Sequence, residues 1–374
     1  MNDEHRIINE FLELVQVDSV SGKERQIADL LIKKLLELGL KVKEDSAGQK
    51  TGGEAGNIIG RLPGTSAGPV LVLCAHMDTV EPGCGVQPVV EDGIIRSSGN
   101  TILGADDKAG IVTILEVLRL VRQNNVKHGG IEVAFTIWEE GGLLGAKNLD
   151  FNLISAKIGF VLDSNGQPGT IVTRAPSQDH IGAVIRGRAA HAGINPEDGI
   201  NAIQVAAYAI TQMKVGRIDS ETTSNIGIIS GGKAINIVPE SVTIEGEARS
   251  LSTEKRLQQT RQMCNAIENA ARKYGAVADV VTKTLYPDYW LSVDSLPVKI
   301  AVKAARNLGL ESHLVNTGGG SDANIFNSKG IATAVLGIGM KKVHTTEEYI
   351  KKVDLVNNVR YLFEIIKIAQ KITN

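Results

Sequence analysis

Two kinds of apolar spacing alternate along the chain. Residues 4–17 carry Ile7, Ile8, Phe11, Leu12, Leu14 and Val15, and residues 23–39 carry Ile27, Leu30, Leu31 and Leu35. Both sets recur at the three-to-four-residue interval of an amphipathic helix. Ser21 followed by Glu24 has the form of a capping box for the second helix, and Gly39 is placed to end it. The next runs are continuous: PVLVLCA at 69–75, IEVAFTIW at 131–138, IGFVL at 158–162 and IATAVLGIG at 331–339. Unbroken β-rich runs of this length predict strands buried on both faces. AGIVTILEVLRLVRQ at 109–123 predicts a helix between the first two. Strand–helix alternation of this kind argues for an α/β domain.

Residues 179–285 depart from that rhythm. They read as strand (180–187), helix (199–213), strand (224–230), strand (240–249), helix (253–273) and strand (277–284). This is the βαββαβ order of a ferredoxin-like unit. An apolar helix at 296–308 and the run at 331–339 then resume the first pattern. The expected architecture is a mixed-sheet α/β domain, residues 1–178 and 292–374, interrupted by a ferredoxin-like α+β domain at 179–291. TRAPSQ (173–178) and LYPDYWLSV (285–293) are the candidate hinges. A length of 374 residues agrees with two domains.

Composition narrows the function classes. A net charge of −2 offers no basic field for nucleic acid. No apolar stretch reaches the ~18 residues of a membrane span. MNDEHRIINEF at the start lacks the basic-then-apolar form of a signal peptide. Cys74, Cys84 and Cys264 form no CxxC pair, so a reduced, cytoplasmic setting is expected. A metal site in such a chain has to use His, Asp and Glu.

Those residue types gather where the apolar runs end. The run at 69–75 leads into His76-Met77-Asp78, that at 131–138 into Glu139-Glu140-Gly141, and that at 158–162 into Asp163. The last run leads to His344, and Gly104-Ala105-Asp106-Asp107-Lys108 precedes the helix at 109–123. Ligands of open α/β sheets bind at the carboxyl ends of strands, where all five segments can converge. Each has an ordinary reading as well. His76 can be a polar loop residue, Glu139-Glu140 a solvated acidic edge, and Asp106-Asp107 a cap for the helix dipole. The HxD spacing favours a ligand, because Asp78 can take the second imidazole N–H of His76 and fix its tautomer.

Six strings resemble the family of co-catalytic zinc peptidases that includes peptidase T, glutamate carboxypeptidase, aminoacylase and succinyl-diaminopimelate desuccinylase. They are AHMDTV (75–80), GADDKAG (104–110), WEEGGLLGA (138–146), VLD (161–163), AAHAG (189–193) and TGGGSDAN (317–324). They occur in the family's order, and the ADDKAG and EEGG forms look most like the peptidase T branch. The resemblance implies two zinc ions; a carboxylate-rich site can also take cobalt or manganese. His76 and Asp163 would bind one, Glu140 and His344 the other, and Asp106 would bridge them. His344 is preferred to His313 because it follows the final strand, and Thr345-Thr346-Glu347-Glu348 can start a helix.

On the same resemblance, a water shared by the metals attacks the amide carbonyl, and Glu139 acts as the general base that takes its proton. Asp78 orients His76. The inserted domain would be a lid, whose His191 stabilises the oxyanion. Asn236 and Arg249 match positions that bind substrate polar groups, and Arg249 suits a carboxylate. Gly319, Gly320 and Ser321, with Gly318, offer backbone N–H groups near a helix start. The implied substrate is a short peptide, tripeptides first. A carboxypeptidase or N-acyl amino acid deacylase is the alternative, and a non-catalytic metal- or peptide-binding protein a remote one. Monomer and homodimer through the lid both stay open.

Overall fold

Four parallel strands set the geometry of the functional edge. Gly130–Thr136, Leu71–His76, Ile158–Ser164 and Ala332–Gly337 lie side by side in that order and run the same way. Leu71–His76 and Gly130–Thr136 are buried at every position. A parallel sheet covered on both faces has no polar side, hence the unbroken apolar runs. Parallel strands also present their carboxyl ends along one edge. Antiparallel Ile58–Pro63 and Lys41–Glu44 extend the sheet beyond Gly130–Thr136, and Thr170–Ala175 pairs antiparallel with Ala332–Gly337, so the sheet is mixed.

The computed structural model describes residues 2–372, which divide into two compact units. The first holds the sheet above and comprises, among the described residues, 2–173, 290–316 and 321–372. Helix Ala105–Gln123 packs on its central strands, and Asn2–Val15 and Lys352–Ala369 pack on that helix. Phe11 and Leu14 on Asn2–Val15 are fully buried. Each contributes roughly 1.5–3 kcal/mol through the apolar surface it removes from water.

Two local expectations are corrected in this unit. Ser21 and Glu24 do not form a capping box: Glu24 itself caps Arg25–Glu37, without a side-chain bond. The Ser21 hydroxyl donates to Asp78 at 2.6 Å, and the Glu24 carboxylate accepts the N–H groups of Gly22 and Trp138 at 2.9 and 3.0 Å. Both side chains are engaged by loops at strand ends rather than by the helix. Nor does Thr345–Glu348 start a helix. Lys341 and Tyr349 pair across the segment and close a loop that carries His344. Tyr349–Lys351 then joins a small antiparallel sheet with Ile94–Ser97 and Pro88–Glu91, and the helix begins only at Lys352.

The second unit comprises residues 174–289 and 317–320. Its antiparallel sheet has the order Gly216–Arg217, Thr222–Gly231, Ser241–Ser250, Ser177–Arg186, Val277–Tyr286. From Asp179 to Ile185 the strand Ser177–Arg186 alternates between buried and half-buried positions, as a strand with one covered face should. Helices Ala202–Thr211 and Thr253–Tyr274 pack on the sheet and close a core that includes Ile181, Ile185, Val205, Ile244, Met263 and Ile267.

Candidate metal centre

His76 is the last residue of Leu71–His76 and is 2% exposed. Its Nε2 lies 3.1 Å from Asp106 Oδ1. Its Nδ1 lies 2.9 Å from the backbone carbonyl oxygen of Asp78 and 3.5 Å from that residue's Oδ1. The nearer partner of His76 is therefore the Asp78 carbonyl. The Asp78 carboxylate mainly accepts the N–H groups of Glu139 and Glu140, at 2.8 and 3.2 Å, and the Ser21 hydroxyl. One buried acid thus ties the end of Leu71–His76 to the loop after Gly130–Thr136.

Asp106 and Asp107 divide the two roles that the sequence left open. Both have non-helical backbone angles at the start of Ala105–Gln123, and the peptide between them is cis. Asp107 turns inward, is fully buried, and accepts the N–H of His76 at 3.2 Å and of Gly110 at 3.1 Å. It caps the helix and holds the end of Leu71–His76. Asp106 instead faces His76 and Glu140: one ligand-type atom from each of the three lies within 4.8 Å of the others. His344 Nε2 joins them, 2.8 Å from Glu140 Oε1 and 3.4 Å from Asp106 Oδ2. His313 stays apart, exposed and paired with Glu311 at 3.2 Å. Asp163 lies near the end of Ile158–Ser164, outside the three-residue group, and is tied to it by charge.

The electrostatics are those of a carboxylate surplus. Burial pushes Glu139 well above the usual carboxylate range, and Asp163, Asp322 and Glu140 push the same way. Asp163 is raised by burial and by Asp106, Glu140 and Asp322. Burial alone would lower the proton affinity of His76, but bonding to Asp106 and Asp78 and the charge of Glu139 hold it well above normal. His344 is raised to about 10 by Asp106 and Glu140. Asp322 lies buried nearby. It accepts the Thr136 hydroxyl at 2.5 Å and the Cys74 thiol at 3.7 Å, and its Oδ1 has no partner. Two imidazoles are the counter-charges closest at hand, and they leave Glu139 and Asp163 biased towards their neutral forms. Divalent cations fit this donor set: nitrogen and oxygen ligands converge, partly buried, and repel one another without added positive charge.

Glu139 is 8% exposed, and its N–H is fixed by Asp78. It sits beside a ligand-type residue without belonging to the three-residue group. The second-unit residues are placed differently. His191 is exposed, and its Nδ1 accepts the Gly193 N–H at 3.1 Å. Asn236 is its neighbour, accepting the Ala192 N–H through its carbonyl at 3.0 Å. Arg249 donates a fork to Glu247, Nε and Nη2 at 3.0 and 2.9 Å. The Gly319 N–H donates to Thr317 Oγ1, and Gly320 packs so closely on Tyr286 that a Cβ would lie 2.4 Å from its ring. Ser321, in the first unit, donates its N–H to Asn324 Oδ1 at 3.0 Å. The N–H groups of Gly319 and Ser321 thus already have partners.

The sequence does not mark three buried acids as belonging beside the centre: Glu24, Asp322 and Glu348. Glu348 is 1% exposed and accepts the N–H groups of Leu103, Gly104 and Asp106.

Comparison with known proteins bears on this centre directly. Residues 72–368 match Peptidase family M20/M25/M40. The structure of aminopeptidase PepT from Bacillus cereus ATCC 10987 has a TM-score of 0.90 at 45% identity, covering 98% of this chain and 99% of that one. A tripeptidase from Staphylococcus aureus has a TM-score of 0.95 at 43% identity, with 99% of each chain covered. The uncharacterized protein YqjE of Bacillus subtilis strain 168 is 45% identical over 371 residues, 99% of this chain and 100% of that one.

Proposed function

Since the chain belongs to Peptidase family M20/M25/M40 and is therefore a peptidase, we propose that it is a di-zinc aminotripeptidase that removes the N-terminal residue of free tripeptides. The observation that carries this is the convergence of His76, Asp106, Glu140 and His344 with Glu139 alongside. The similarity to an aminopeptidase and a tripeptidase at 43–45% identity supports the substrate class. His76 and Asp163 would hold one zinc, Glu140 and His344 the other, and Asp106 both; cobalt or manganese suits the same donors. Bound metal supplies Lewis acidity, lowering the pKa of water and polarising a carbonyl.

The chain's own groups do the rest. Glu139, raised in proton affinity by burial and neighbouring acids, takes the proton of the attacking water and returns it to the departing amine. Asp78 keeps His76 and the Glu139–Glu140 backbone in register. In the same proposal the second unit acts as a lid: His191 and Asn236 serve the carbonyl oxygen and backbone of the substrate. Arg249 serves its carboxylate after releasing Glu247, a like-for-like exchange of one bidentate partner for another. Gly319, Gly320 and Ser321 then shape the turn beside that carboxylate. A cytoplasmic setting and a homodimer through the second unit complete the reading. Among the described residues no helix is long and apolar enough to cross a membrane.

The test is hydrolysis of free, N-acetylated and C-amidated di- and tripeptides by the zinc-loaded protein, with products identified by mass. N-terminal release from free tripeptides alone is the expected result. Cleavage that survives N-acetylation moves the assignment to a carboxypeptidase or deacylase. Glu139→Gln is expected to lower turnover roughly 10²- to 10⁴-fold with unchanged metal content.

A further inference from the structure

Glu348 joins two of the ligand-bearing loops without being a ligand. Its Oε2 accepts the N–H groups of Leu103 and Gly104, each at 2.8 Å, and its Oε1 accepts that of Asp106 at 3.0 Å. These N–H groups lie at the start of Ala105–Gln123, where the first donors of a helix have no partner within it. The acceptor comes from a segment 242 residues away from Asp106 in sequence. That segment is the loop of His344. Its ends are closed by the Lys341–Tyr349 pair, and the Glu348 N–H donates to the Thr345 carbonyl at 3.1 Å. His344 has a φ of 63° and Lys342 one of 53°. Left-handed backbone at residues other than glycine is strained and persists only where the surroundings over-determine it. The closed loop ends and the three bonds of Glu348 provide that determination.

We propose that Glu348 is a positioning residue of the metal centre, whose carboxylate locks the Asp106 backbone to the His344 loop and so sets the spacing of two ligands. The inference rests on the reading of Asp106 and His344 as metal ligands. It calls for both carboxylate oxygens. In Glu348→Gln the amide oxygen keeps one side, while the NH₂ group opposes an N–H on the other. The loop is then held at Leu103–Gly104 or at Asp106, but not at both.

Glu132 provides a matched control. It is fully buried and accepts the Ser155 N–H at 2.9 Å, the Ser155 hydroxyl at 2.6 Å and the Ala156 N–H at 3.0 Å. It lies near the amino end of Gly130–Thr136, away from the end that leads to Glu139. Glu132→Gln thus makes the same chemical change in a clamp remote from the centre.

The experiment measures zinc and cobalt affinity of the full chain by competition with a chromophoric chelator, together with the visible absorption of the cobalt-loaded protein. Wild type, E348Q, E132Q and D106N are compared, and thermal midpoints are taken in excess chelator. E348Q is expected to bind metal about 10- to 100-fold more weakly, with altered cobalt absorption. E132Q is expected to lower the midpoint while binding metal as the wild type does. Wild-type affinity and absorption in E348Q, with metal lost from D106N, overturn the role of Glu348 alone. An equal loss of affinity in E132Q overturns it too, by reducing the effect to general destabilisation. Failure of the wild type to bind either metal overturns the ligand reading and this inference together.

Discussion

In the second unit, the buried carboxylate of Asp179 meets a buried guanidinium, that of Arg256, and accepts the hydroxyls of Thr260 and Thr284, each at 2.7 Å. Helix Thr253–Tyr274 is thereby tied to Ser177–Arg186 and Val277–Tyr286, and the charge is neutralised inside the unit. In the first unit, Asp106, Asp107, Glu139, Asp163 and Asp322 crowd around His76, and the counter-charges nearest them are two imidazoles, those of His76 and His344, which still leave Glu139 and Asp163 raised. Buried Lys108 is the nearest lysine in sequence, but its Nζ donates to the Val17 carbonyl at 2.7 Å. The difference separates structural acids from functional ones. Where the chain supplies its own counter-charge, burial stabilises the fold. Where it leaves carboxylates mutually repelling at a strand edge, their charge is held for a cation from outside.

The sharpest way to break that comparison is to remove the internal cation. Arg256→Met leaves Asp179 buried and unpaired, which costs roughly 3–5 kcal/mol. Denaturant unfolding should show that loss, with metal content unchanged. Adding Asp179→Asn should recover much of it, because the neutral amide no longer needs a counter-charge. A single-variant loss below about 1 kcal/mol would mean that the Asp179 charge is satisfied by the two hydroxyls, and the contrast between the units would fail.

How much of this was legible in the sequence follows from the same physics. The central strands were readable because strands covered on both faces must be apolar throughout. The ligand-type residues were readable because polar groups interrupt those runs only at their ends. Lys41–Glu44, exposed or half-buried at every position, has no such run and exists through its pairing with Ile58–Pro63. The small sheet of Pro88–Glu91, Ile94–Ser97 and Tyr349–Lys351 is likewise built by tertiary pairing. Glu348 could not be read at all: within KKVHTTEEYI an acid looks like the solvated start of a helix. A carboxylate that accepts backbone N–H groups across 242 residues leaves no local periodicity. The same holds for Glu24, which reads as half of a capping box until Trp138 is found above it.

Glu24 sharpens the comparison through pH. Burial pushes its carboxyl from the ordinary 4.5 up to about 7, against the pull of the Gly22 N–H and with the repulsion of Asp78. Its Oε2 has no partner. Below pH 4.5 the group is neutral folded and unfolded alike. Between 4.5 and about 7 the folded chain holds the extra proton, so stability falls as pH rises; above 7 the full cost of the buried charge remains. In Glu24→Gln the amide oxygen can keep both N–H bonds without the charge. Measured on metal-free protein, its stability relative to wild type should be more favourable at pH 8 than at pH 4.5, by on the order of 2 kcal/mol after partial screening. A difference independent of pH would place Glu24 with the compensated acids of the second unit.

The smallest effect is expected at Ser21. Its hydroxyl donates to the Asp78 carboxylate alongside the backbone N–H groups of Glu139 and Glu140. Ser21→Ala removes a half-buried bond to a charged group and should lower stability by about 1 kcal/mol. Because the two N–H bonds survive, the Glu139–Glu140 loop should hold its place and the Michaelis constant should not move. A large fall in kcat at constant metal content would show that the position of Asp78 depends on the hydroxyl. The loop carrying Glu139 would then be held by side chains rather than by its backbone. That outcome would shift the weight of the comparison: the first unit would owe the order of its acids to single side-chain contacts such as Ser21, and not to the backbone donors that ring them.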